Sequence, residues 1–534
     1  MTSSLPRLGA ASSAAAAKAR PPERPASGPS RAGTHRRRRT PLGTTLAAAG
    51  ALALAACASA PEPQADLAAA SRASIAGSWQ TALPHGGDVG ALARWWQQFD
   101  DPALSALLGA ADRASPSLAT AEARIAQARA ARVAAGAALL PSADATASLL
   151  RGRQDLTLPL GTSATVGLQA SWELDVFGAG RAGRSAADAR LAASEAAWHD
   201  ARVAVAAETA NTYVSLRACE AQLEQTRIDA QSRAETARLT RLSTDAGFES
   251  RANEALARAG AAQASSNATQ QRQRCDSLVK ALVELTALPE PQLRDQLAGA
   301  TARLPAPAAL DVPSVPATAL AQRPDVFAAA QNVVAAAADV GRADALRYPR
   351  FGLAGSIGAS QLRGAGIEVT GTTWTLGPVS VSVPVFDAGV RRANVEDARA
   401  RYAEATASYA ATLRRAIREA ETALVTLQAS AERRTAAAAA VEGFAASFRA
   451  VEARYRSGFG SLFELEDARR NALTAQNALI ELDRERVAAW ITLYRALGGG
   501  WTAEAPRLGD AAAHAAARDA ATPLARPAVS PEQP

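Results

Sequence analysis

Residues 165–180 read TVGLQASWELDVFGAG, and residues 374–389 read WTLGPVSVSVPVFDAG. Apolar side chains alternate with small or polar ones along both stretches, and each stretch ends near a phenylalanine and a glycine that precede a long alanine-rich run. Alternation of this kind predicts a strand with one apolar and one polar face. Such a strand lies either against a soluble protein core or between lipid and a polar lumen, and the alternation alone allows both.

The two stretches belong to a longer pattern that occurs twice. The matches pair Ser115-Pro116 with Arg323-Pro324, Phe177 with Phe386, and Gly247 with Gly458, at offsets of 208, 209 and 211 residues. A near-constant offset indicates an internal duplication. We predict a first repeat over residues 103–303, a proline-rich joint over residues 304–316 and a second repeat over residues 317–501.

Each repeat is predicted to contain a helix, two strands, a helical run of about 65 to 69 residues, a glycine turn and a final helix. The strands are predicted at residues 143–153, 162–175, 351–361 and 372–386. At about 1.5 Å per residue each long run reaches roughly 100 Å, a length that suits a conduit better than a globular core. The predicted fold class is mainly α with a membrane β-barrel.

Four strands are too few to close a barrel, since about eight is the smallest number known. Open strand edges are not tolerated in lipid, so we expect the strands to be shared between protomers. Two protomers would give about eight strands and a pore too narrow to be useful. Three protomers would give twelve strands, and we therefore predict a homotrimer.

The amino terminus has the composition of a secretion signal. A basic block at Arg36–Arg39 precedes a short apolar run, which ends at Ala56 directly before Cys57. The run is shorter than the roughly 20 residues that span a bilayer, so we predict a cleaved signal peptide over residues 1–56. The Leu-Ala-Ala-Cys sequence resembles a bacterial lipobox, which implies S-diacylglycerol and N-palmitoyl groups on Cys57. The alternative is an ordinary signal peptide followed by an incidental cysteine.

The charge of the whole chain is misleading about partners. The 534 residues carry a net charge of +7 and the pI is about 9.8, values that suggest nucleic acid or another anionic surface. Nine of the 58 basic side chains but only one of the 51 acidic ones precede Cys57. The remaining chain holds 49 basic and 50 acidic side chains, a net charge of −1, so we predict no nucleic-acid partner.

Cysteine and histidine are too few and too scattered for a catalytic or metal centre. The chain has three cysteines and four histidines, without the spacing of a zinc site or of a nucleophile–histidine pair. We predict no catalytic residues, no metal and no cofactor beyond the lipid on Cys57. Cys219 and Cys275 each lie 28 residues from Gly247. A helical hairpin that turns at Gly247 would place them opposite each other, which predicts a disulfide, with two buried thiols as the alternative.

Several further motifs match a known family. They are WWQQFDDP (95–102), WELDVFG (172–178), RPDV (323–326), PVFDAG (384–389), RYRSG (454–458) and LYRALGGGW (493–501). With these motifs the chain resembles TolC-type outer-membrane efflux channels, in the lipoprotein branch that includes OprM and NodT-like proteins. The resemblance extends from about residue 57, through a lipidated segment over residues 57–102, to about residue 501.

The resemblance implies an architecture, a function and partners. It implies a trimeric twelve-stranded barrel in the bacterial outer membrane, with a long α-helical barrel in the periplasm. The function implied is a passive exit duct of a tripartite efflux pump, which exports drugs or other toxic small molecules. The implied partners are a periplasmic adaptor, an inner-membrane proton-driven pump and outer-membrane lipid.

The resemblance also assigns roles to the two glycine turns. Each turn is expected to be a periplasmic tip that docks to the adaptor; the tip residues are Gly247, Phe248, Ser250, Gly458, Phe459 and Ser461. The stretch after the second tip would line the closed periplasmic gate. We expect Glu464 and Asp467, which are i and i+3 on a helix, to form an acidic ring, with Phe463 as an apolar plug. The alternative is a solvated acidic face.

Two other classes of protein remain open at this point. A periplasmic coiled-coil lipoprotein, acting as an adaptor or an envelope spacer, would share the lipobox and the long helices but would show sustained heptads. A lipidated enzyme would need the catalytic constellation that the sequence lacks. Residues 502–534 are rich in alanine and proline and are predicted to be a disordered tail.

Overall fold

The computed structural model describes residues 61–74, 95–96, 98–153, 160–305, 323–364 and 366–501. The helices, in chain order, are α1 (Pro63–Ser74), α2 (Pro102–Ala114), α3 (Pro116–Ala137), α4 (Ala179–Asp245), α5 (Arg251–Thr286), α6 (Glu290–Leu297), α7 (Pro324–Ala345), α8 (Val390–Arg456) and α9 (Leu462–Ala496). The strands are β1 (Ser142–Gly152), β2 (Gly161–Leu174), β3 (Arg350–Gly364) and β4 (Ile367–Ser382).

The element order confirms that the chain is built from two matching halves. The order helix, two strands, long helix and shorter helix occurs first in α3 to α5 and again in α7 to α9. The paired helices also agree in length: α3 and α7 each have 22 residues, and α4 and α8 each have 67. At about 1.5 Å per residue the two long helices reach roughly 100 Å.

Both long helices begin with the same local structure. Gly178 and Gly389 precede α4 and α8 with φ of 83° and 90°, a left-handed conformation that glycine adopts without steric cost. Asp175 accepts hydrogen bonds from the backbone N–H groups of Gly180 and Arg181, at 3.0 and 2.8 Å. In the second half Asp387 accepts hydrogen bonds from the backbone N–H groups of Gly389 and Arg391, at 3.0 and 3.2 Å. These carboxylates satisfy N–H groups that the first helical turn leaves free, so the strand-to-helix transition is encoded locally.

The strands form one antiparallel sheet in the order β1-β2-β3-β4. The first two strands lie within one residue of the predicted bounds. The third begins one residue before its prediction but ends at Gly364, three residues beyond the predicted end at residue 361. The prediction for the last strand was wrong at both ends, because β4 covers Ile367–Ser382 and not residues 372–386. Ser382 pairs with Arg350, the first residue of β3, so the alternation after Ser382 has no strand to pair with. Pro384 also lacks the N–H group that a ladder requires.

The largest buried cluster joins the two halves at the middle of the two long helices. Trp95, Tyr213, Trp490 and Tyr494 lie in it, together with leucines and alanines from α2, α4, α5, α6, α8 and α9. Trp95 packs against Trp490 and Tyr494 at ring-centroid distances of 6.0 and 5.6 Å. Elsewhere alanine supplies many of the buried contacts, so neighbouring helices can approach closely along their length.

Candidate functional site

The two faces of the sheet differ in polarity. Directly paired residues point to the same side, so the register assigns each side chain to a face. The apolar face carries Ala143, Ala145, Ala147, Leu149, Val166, Leu168, Ala170, Trp172, Phe351, Leu353, Ile357, Ala359, Trp374, Leu376, Val379 and Val381, with the polar Gln361, Thr370 and Thr372 toward the end farthest from the helices. Over most of its length the other face carries Asp144, Thr146, Ser148, Ser163, Thr165, Gln169, Ser171, Glu173, Ser356, Ser360, Thr373, Thr375, Ser380 and Ser382. At the end farthest from the helices it also carries the apolar Leu150, Leu362, Ile367 and Val369. This is the arrangement of a wall between lipid and a polar lumen.

The apolar face is not covered by the rest of the protomer. Trp374 and Leu376 are 74% and 80% exposed, and Val379 is 68% exposed. Within the described residues the outer edges of β1 and β4 also pair with no other strand. A soluble sheet would bury such a face and protect such edges. The exposed face and edges therefore exclude the coiled-coil alternative and leave a sheet that needs lipid and further strands.

The two helical tips have the same backbone structure. Gly247 and Gly458 both have φ of 82°, and each follows the last turn of a 67-residue helix. The N–H of Phe248 donates to Ser243 O and that of Phe459 donates to Arg454 O, both at 2.9 Å. This bond, with the one made by each glycine N–H, closes the helix end in a Schellman motif.

The serines at the tips begin the descending helices. Ser250 Oγ accepts a hydrogen bond from Asn253 N, and Ser461 Oγ accepts one from Glu464 N, both at 3.1 Å. The phenylalanines, by contrast, have no structural role within the protomer, since Phe248 is 86% exposed and Phe459 is 81% exposed. Glycine and serine thus build the tips, and the tips present an unburied phenylalanine each.

The predicted gate residues lie on the exposed side of the first turns of α9. Leu462 and Leu465 are buried against the neighbouring helices, and Phe463 on the opposite side is 74% exposed. The Glu464 carboxylate accepts a hydrogen bond from Ser461 N at 3.1 Å, which completes a capping box. Asp467 pairs with Arg470 and accepts a hydrogen bond from Asn471 at 3.2 Å. Both acids therefore have partners within the protomer, and the ring remains a prediction.

Sequence reasoning did not single out a charged cluster that joins the two hairpins near their tips. Arg469 of α9 is buried and donates to Ser232 and Thr236 of α4, both at 3.1 Å. Glu466 bridges Arg469 and Arg233, so it links the two helices. Burial lowers the pKa of the Arg469 guanidinium, whereas the adjacent Glu466 carboxylate opposes that shift. The i, i+3 spacing of Glu466 and Arg469 is visible in the sequence. The partners of Arg469 on α4, however, lie more than 230 residues away along the chain.

The structure joins Cys219 of α4 and Cys275 of α5 by a disulfide, with the Cα atoms 5.6 Å apart. Both cysteines are buried in the main hydrophobic cluster. Gln271 donates a hydrogen bond to the backbone carbonyl of Cys219 at 3.3 Å, so the cross-link lies in a region where α4 and α5 already contact each other.

Cys57 lies outside the described residues, as do the signal peptide, most of the proline-rich joint and the tail over residues 502–534. The helix that follows Cys57 is described and packs on α7 and α8. Tyr402 donates a hydrogen bond to Asp66, and the hydroxyls of Ser71 and Tyr409 lie 2.9 Å apart. Burial and the hydrogen bond to Asp66 raise the pKa of Tyr402 to about 12. Because residue numbers rise together along these contacts, α1 runs parallel to α8 and its first residue points toward the sheet.

The part of the chain that the structure describes contains no group of three or more acidic, histidine or cysteine side chains placed to hold a metal. Among the same residues, no helix combines the length and the apolar character that a membrane crossing requires.

Comparisons with known proteins agree with this geometry. The family described as "Outer membrane efflux protein" matches residues 107–288 and 315–499. The solvent efflux pump outer membrane protein SrpC of Pseudomonas putida is 30% identical, over 79% of this chain and 92% of that protein. The solved structure of the outer-membrane channel OprN is 29% identical in sequence and has a TM-score of 0.71. The match covers 80% of this chain and 96% of the OprN chain.

The CmeC outer membrane channel of Campylobacter jejuni has the same TM-score of 0.71 at 25% identity, over 78% of this chain and 89% of that one. The similarity covers both halves of the chain, so it includes the sheet, the long helices and the tips. The chain belongs to the outer membrane efflux protein family, and it is an outer-membrane efflux channel and not an enzyme.

Proposed function

We propose that three copies of this chain form the exit duct of a tripartite efflux pump. The observation that carries the proposal is the sheet, whose apolar face is exposed and whose edge strands β1 and β4 have no partner strand on their outer sides within the described residues. Closing three such sheets edge to edge gives about twelve strands, satisfies the free backbone groups and directs the apolar faces to lipid. The polar, small side chains then line the lumen.

The tips are proposed to dock to a periplasmic adaptor, which connects the duct to an inner-membrane proton-driven pump. The exposed phenylalanines at positions 248 and 459 support this role, because exposed aromatic side chains at an otherwise polar surface favour binding to another protein. The cargo is proposed to be small organic molecules such as solvents or drugs. The support for this class is the name of the relative SrpC, a solvent efflux protein.

The lipid anchor on Cys57 is proposed from the sequence and is supported by the direction of α1. Tyr402, which contacts Asp66, lies 12 residues past Val390, the first residue of α8. That separation is about 18 Å along the helix. The first residue of α1 therefore points toward the sheet, a direction that suits a lipid anchor on a residue that precedes the helix.

The gate is proposed to lie at the start of α9. Phe463 and the carboxylates of Glu464 and Asp467 share the exposed side of that helix, so three protomers would bring them into one ring. Substituting both acids (Glu464→Ala/Asp467→Ala) is expected to reduce cation selectivity in single-channel recordings. Unchanged conductance and selectivity would contradict the gate assignment while leaving the duct itself intact.

The duct is tested with the full chain in its native membrane. Gel migration without boiling is expected to show a trimer that becomes a monomer on heating, and the purified trimer is expected to conduct in planar bilayers. A deletion strain is expected to become susceptible to solvents or drugs. A monomer that does not conduct, from a strain with unchanged susceptibility, would overturn the proposal.

A further inference from the structure

The apolar face of the sheet becomes polar toward the end farthest from the helices, where Gln361 and Thr370 precede a row of three charged side chains and a threonine. The register pairs Arg151 with Thr162, Thr162 with Arg363, and Arg363 with Glu368, so these four residues form one row across all four strands. They point to the same side as the apolar residues. The helices join the opposite end of the sheet, so the row lies at the end that is farthest from the helices.

The position of the row matches the thickness of a membrane. Trp172 and Leu353 pair near the helical end, where the indole N–H of Trp172 donates to Leu139 O at 3.0 Å. Ten residues separate Leu353 from Arg363, which is about 33 Å along a strand. At a tilt of roughly 40° that becomes about 25 Å along the membrane normal, the usual height of the apolar band. The row therefore lies at the level of the outer headgroups.

The charge of the row favours an anion. Arg363 pairs with Glu368 at 2.7 Å, whereas Arg151 makes no ion pair with any described residue. Arg153, which follows the last residue of β1, is also exposed. Within the described residues, the row thus holds two guanidinium groups, those of Arg151 and Arg363, and one carboxylate, that of Glu368.

A cleft between the hairpins brings these groups to one place. Its volume is about 500 Å³, and Arg151, Thr162, Arg363 and Glu368 line it together with the glycines at positions 161, 364 and 366 and the apolar Leu160 and Ile367. The alternate strands β1 and β3 are about 10 Å apart, a span that two arginine side chains bridge easily. Guanidinium groups bind phosphate oxygens with paired hydrogen bonds, and the Thr162 hydroxyl supplies a further donor.

We propose that this cleft binds the phosphate of a lipid headgroup in the outer leaflet of the outer membrane. The proposal rests on the proposed function, because the row faces lipid only if the sheet forms part of a membrane barrel. The bound lipid would fix the depth of the barrel and neutralise the guanidinium of Arg151, which makes no ion pair with the residues that the structure describes.

The test uses the purified full-length trimer and native mass spectrometry. Bis-phosphorylated lipid A is expected to bind at least tenfold more tightly than dephosphorylated lipid A or phosphatidylethanolamine. The variant Arg151→Gln/Arg363→Gln is expected to lose this preference, and Arg151→Lys/Arg363→Lys to keep part of it. The matched control is Arg392→Gln/Arg401→Gln on α8, which removes two exposed arginines elsewhere and is expected to bind like the wild type.

The possible outcomes separate the alternatives. Equal binding by wild type and the glutamine variant, or no preference for the phosphorylated lipid, would overturn the proposal. Displacement of the lipid by millimolar inorganic phosphate would also overturn it, since the cleft would then be a site for free phosphate. Trimer formation and conductance are measured on the same preparations, so a failed lipid site is distinguished from a failed duct.

Discussion

At the scale of single residues, Gly247 and Gly458 carry the reversal of the two longest helices. Their φ of 82° lies in the left-handed region, and a side chain there costs roughly 1–2 kcal/mol even though no neighbouring atom would clash. Gly443, inside α8, has similar free space but an ordinary helical conformation. Substitutions at these three glycines therefore distinguish the cost of the left-handed backbone from the cost of steric crowding.

We predict that Gly458→Val destabilises the second tip by roughly 1–2 kcal/mol, and that Gly247→Val destabilises the first tip by a similar amount. The control Gly443→Ala is expected to be neutral or stabilising by roughly 0.5–1 kcal/mol, because alanine restricts the unfolded chain. Thermal unfolding followed by circular dichroism measures the difference. Equal effects of Gly443→Ala and Gly458→Val would show that the left-handed conformation is not the cause.

Asp200 offers a prediction about pH. It is half-buried in α4 near the group formed by Arg323, Asp325 and Glu419. Burial, and after it the negative charge of Asp325, raises the pKa of Asp200, whereas Arg323 and Arg495 oppose this shift. The folded state therefore holds the proton more tightly than the unfolded state, and stability falls as the pH rises from the unfolded toward the raised folded pKa.

Asp200→Asn is thus expected to be more stable than the wild type at pH 7. The difference is expected to shrink as the pH is lowered through the raised pKa of Asp200, because the wild-type carboxyl becomes neutral there. Melting temperatures measured between pH 4 and 8 test this. Asp112→Asn, which removes an exposed ion pair with Arg202, is the control and is expected to change stability by less than about 1 kcal/mol. A pH-independent difference for Asp200→Asn would contradict the prediction.

Local sequence signals at this scale were sufficient for the tips but incomplete for the gate. The glycines indicated the turns because left-handed caps favour that residue. Ser461 and Glu464 also have the spacing of a capping box, which the sequence interpretation passed over in favour of a charged ring. The Arg469 cluster could not be predicted from the sequence, since Ser232 and Thr236 belong to the other half of the duplication and only tertiary packing brings them to Arg469.

At the scale of elements, long helices were predictable and strand ends were less so. The predicted helical runs agree closely with α4 and α8 because a left-handed glycine and an aspartate mark each start. For β4 the alternation of side chains continues past Ser382, although its backbone has no partner there. Alternation reports which face a side chain occupies, but the extent of a strand depends on the length of its neighbour.

The next prediction concerns the disulfide that joins α4 and α5 within their hairpin. Cys219 and Cys275 are separated by 56 residues, so the bond removes a large loop from the unfolded chain, worth up to about 4 kcal/mol in the loop-entropy description. Cys219→Ser/Cys275→Ser is expected to lower the unfolding temperature and to make the hairpin more sensitive to trypsin. Reductant is expected to affect the wild type in the same way but not the variant. Thiols that react with an alkylating agent without reductant would instead support two free cysteines.

At the scale of the whole molecule, the helices and the sheet differ in whether one chain satisfies their backbone hydrogen bonds. Each tip and each strand-to-helix transition is satisfied by groups of the same protomer. The outer edges of β1 and β4, in contrast, leave backbone N–H and C=O groups without partners among the described residues. In lipid each such group costs several kcal/mol, so the edges require neighbouring strands.

Cross-linking tests whether β1 of one protomer meets β4 of the next. Single cysteines scanned along the polar side of β1, from Asp144 to Ser148, are combined with cysteines at Thr373 or Thr375 of β4. At the correct register, oxidation is expected to give covalent dimers and trimers and no larger species. The control Thr165→Cys/Ser360→Cys joins residues that already pair within one sheet, so it is expected to give only a cross-linked monomer. Ladders beyond the trimer would indicate open-ended strand association, and that result would contradict closure by three chains.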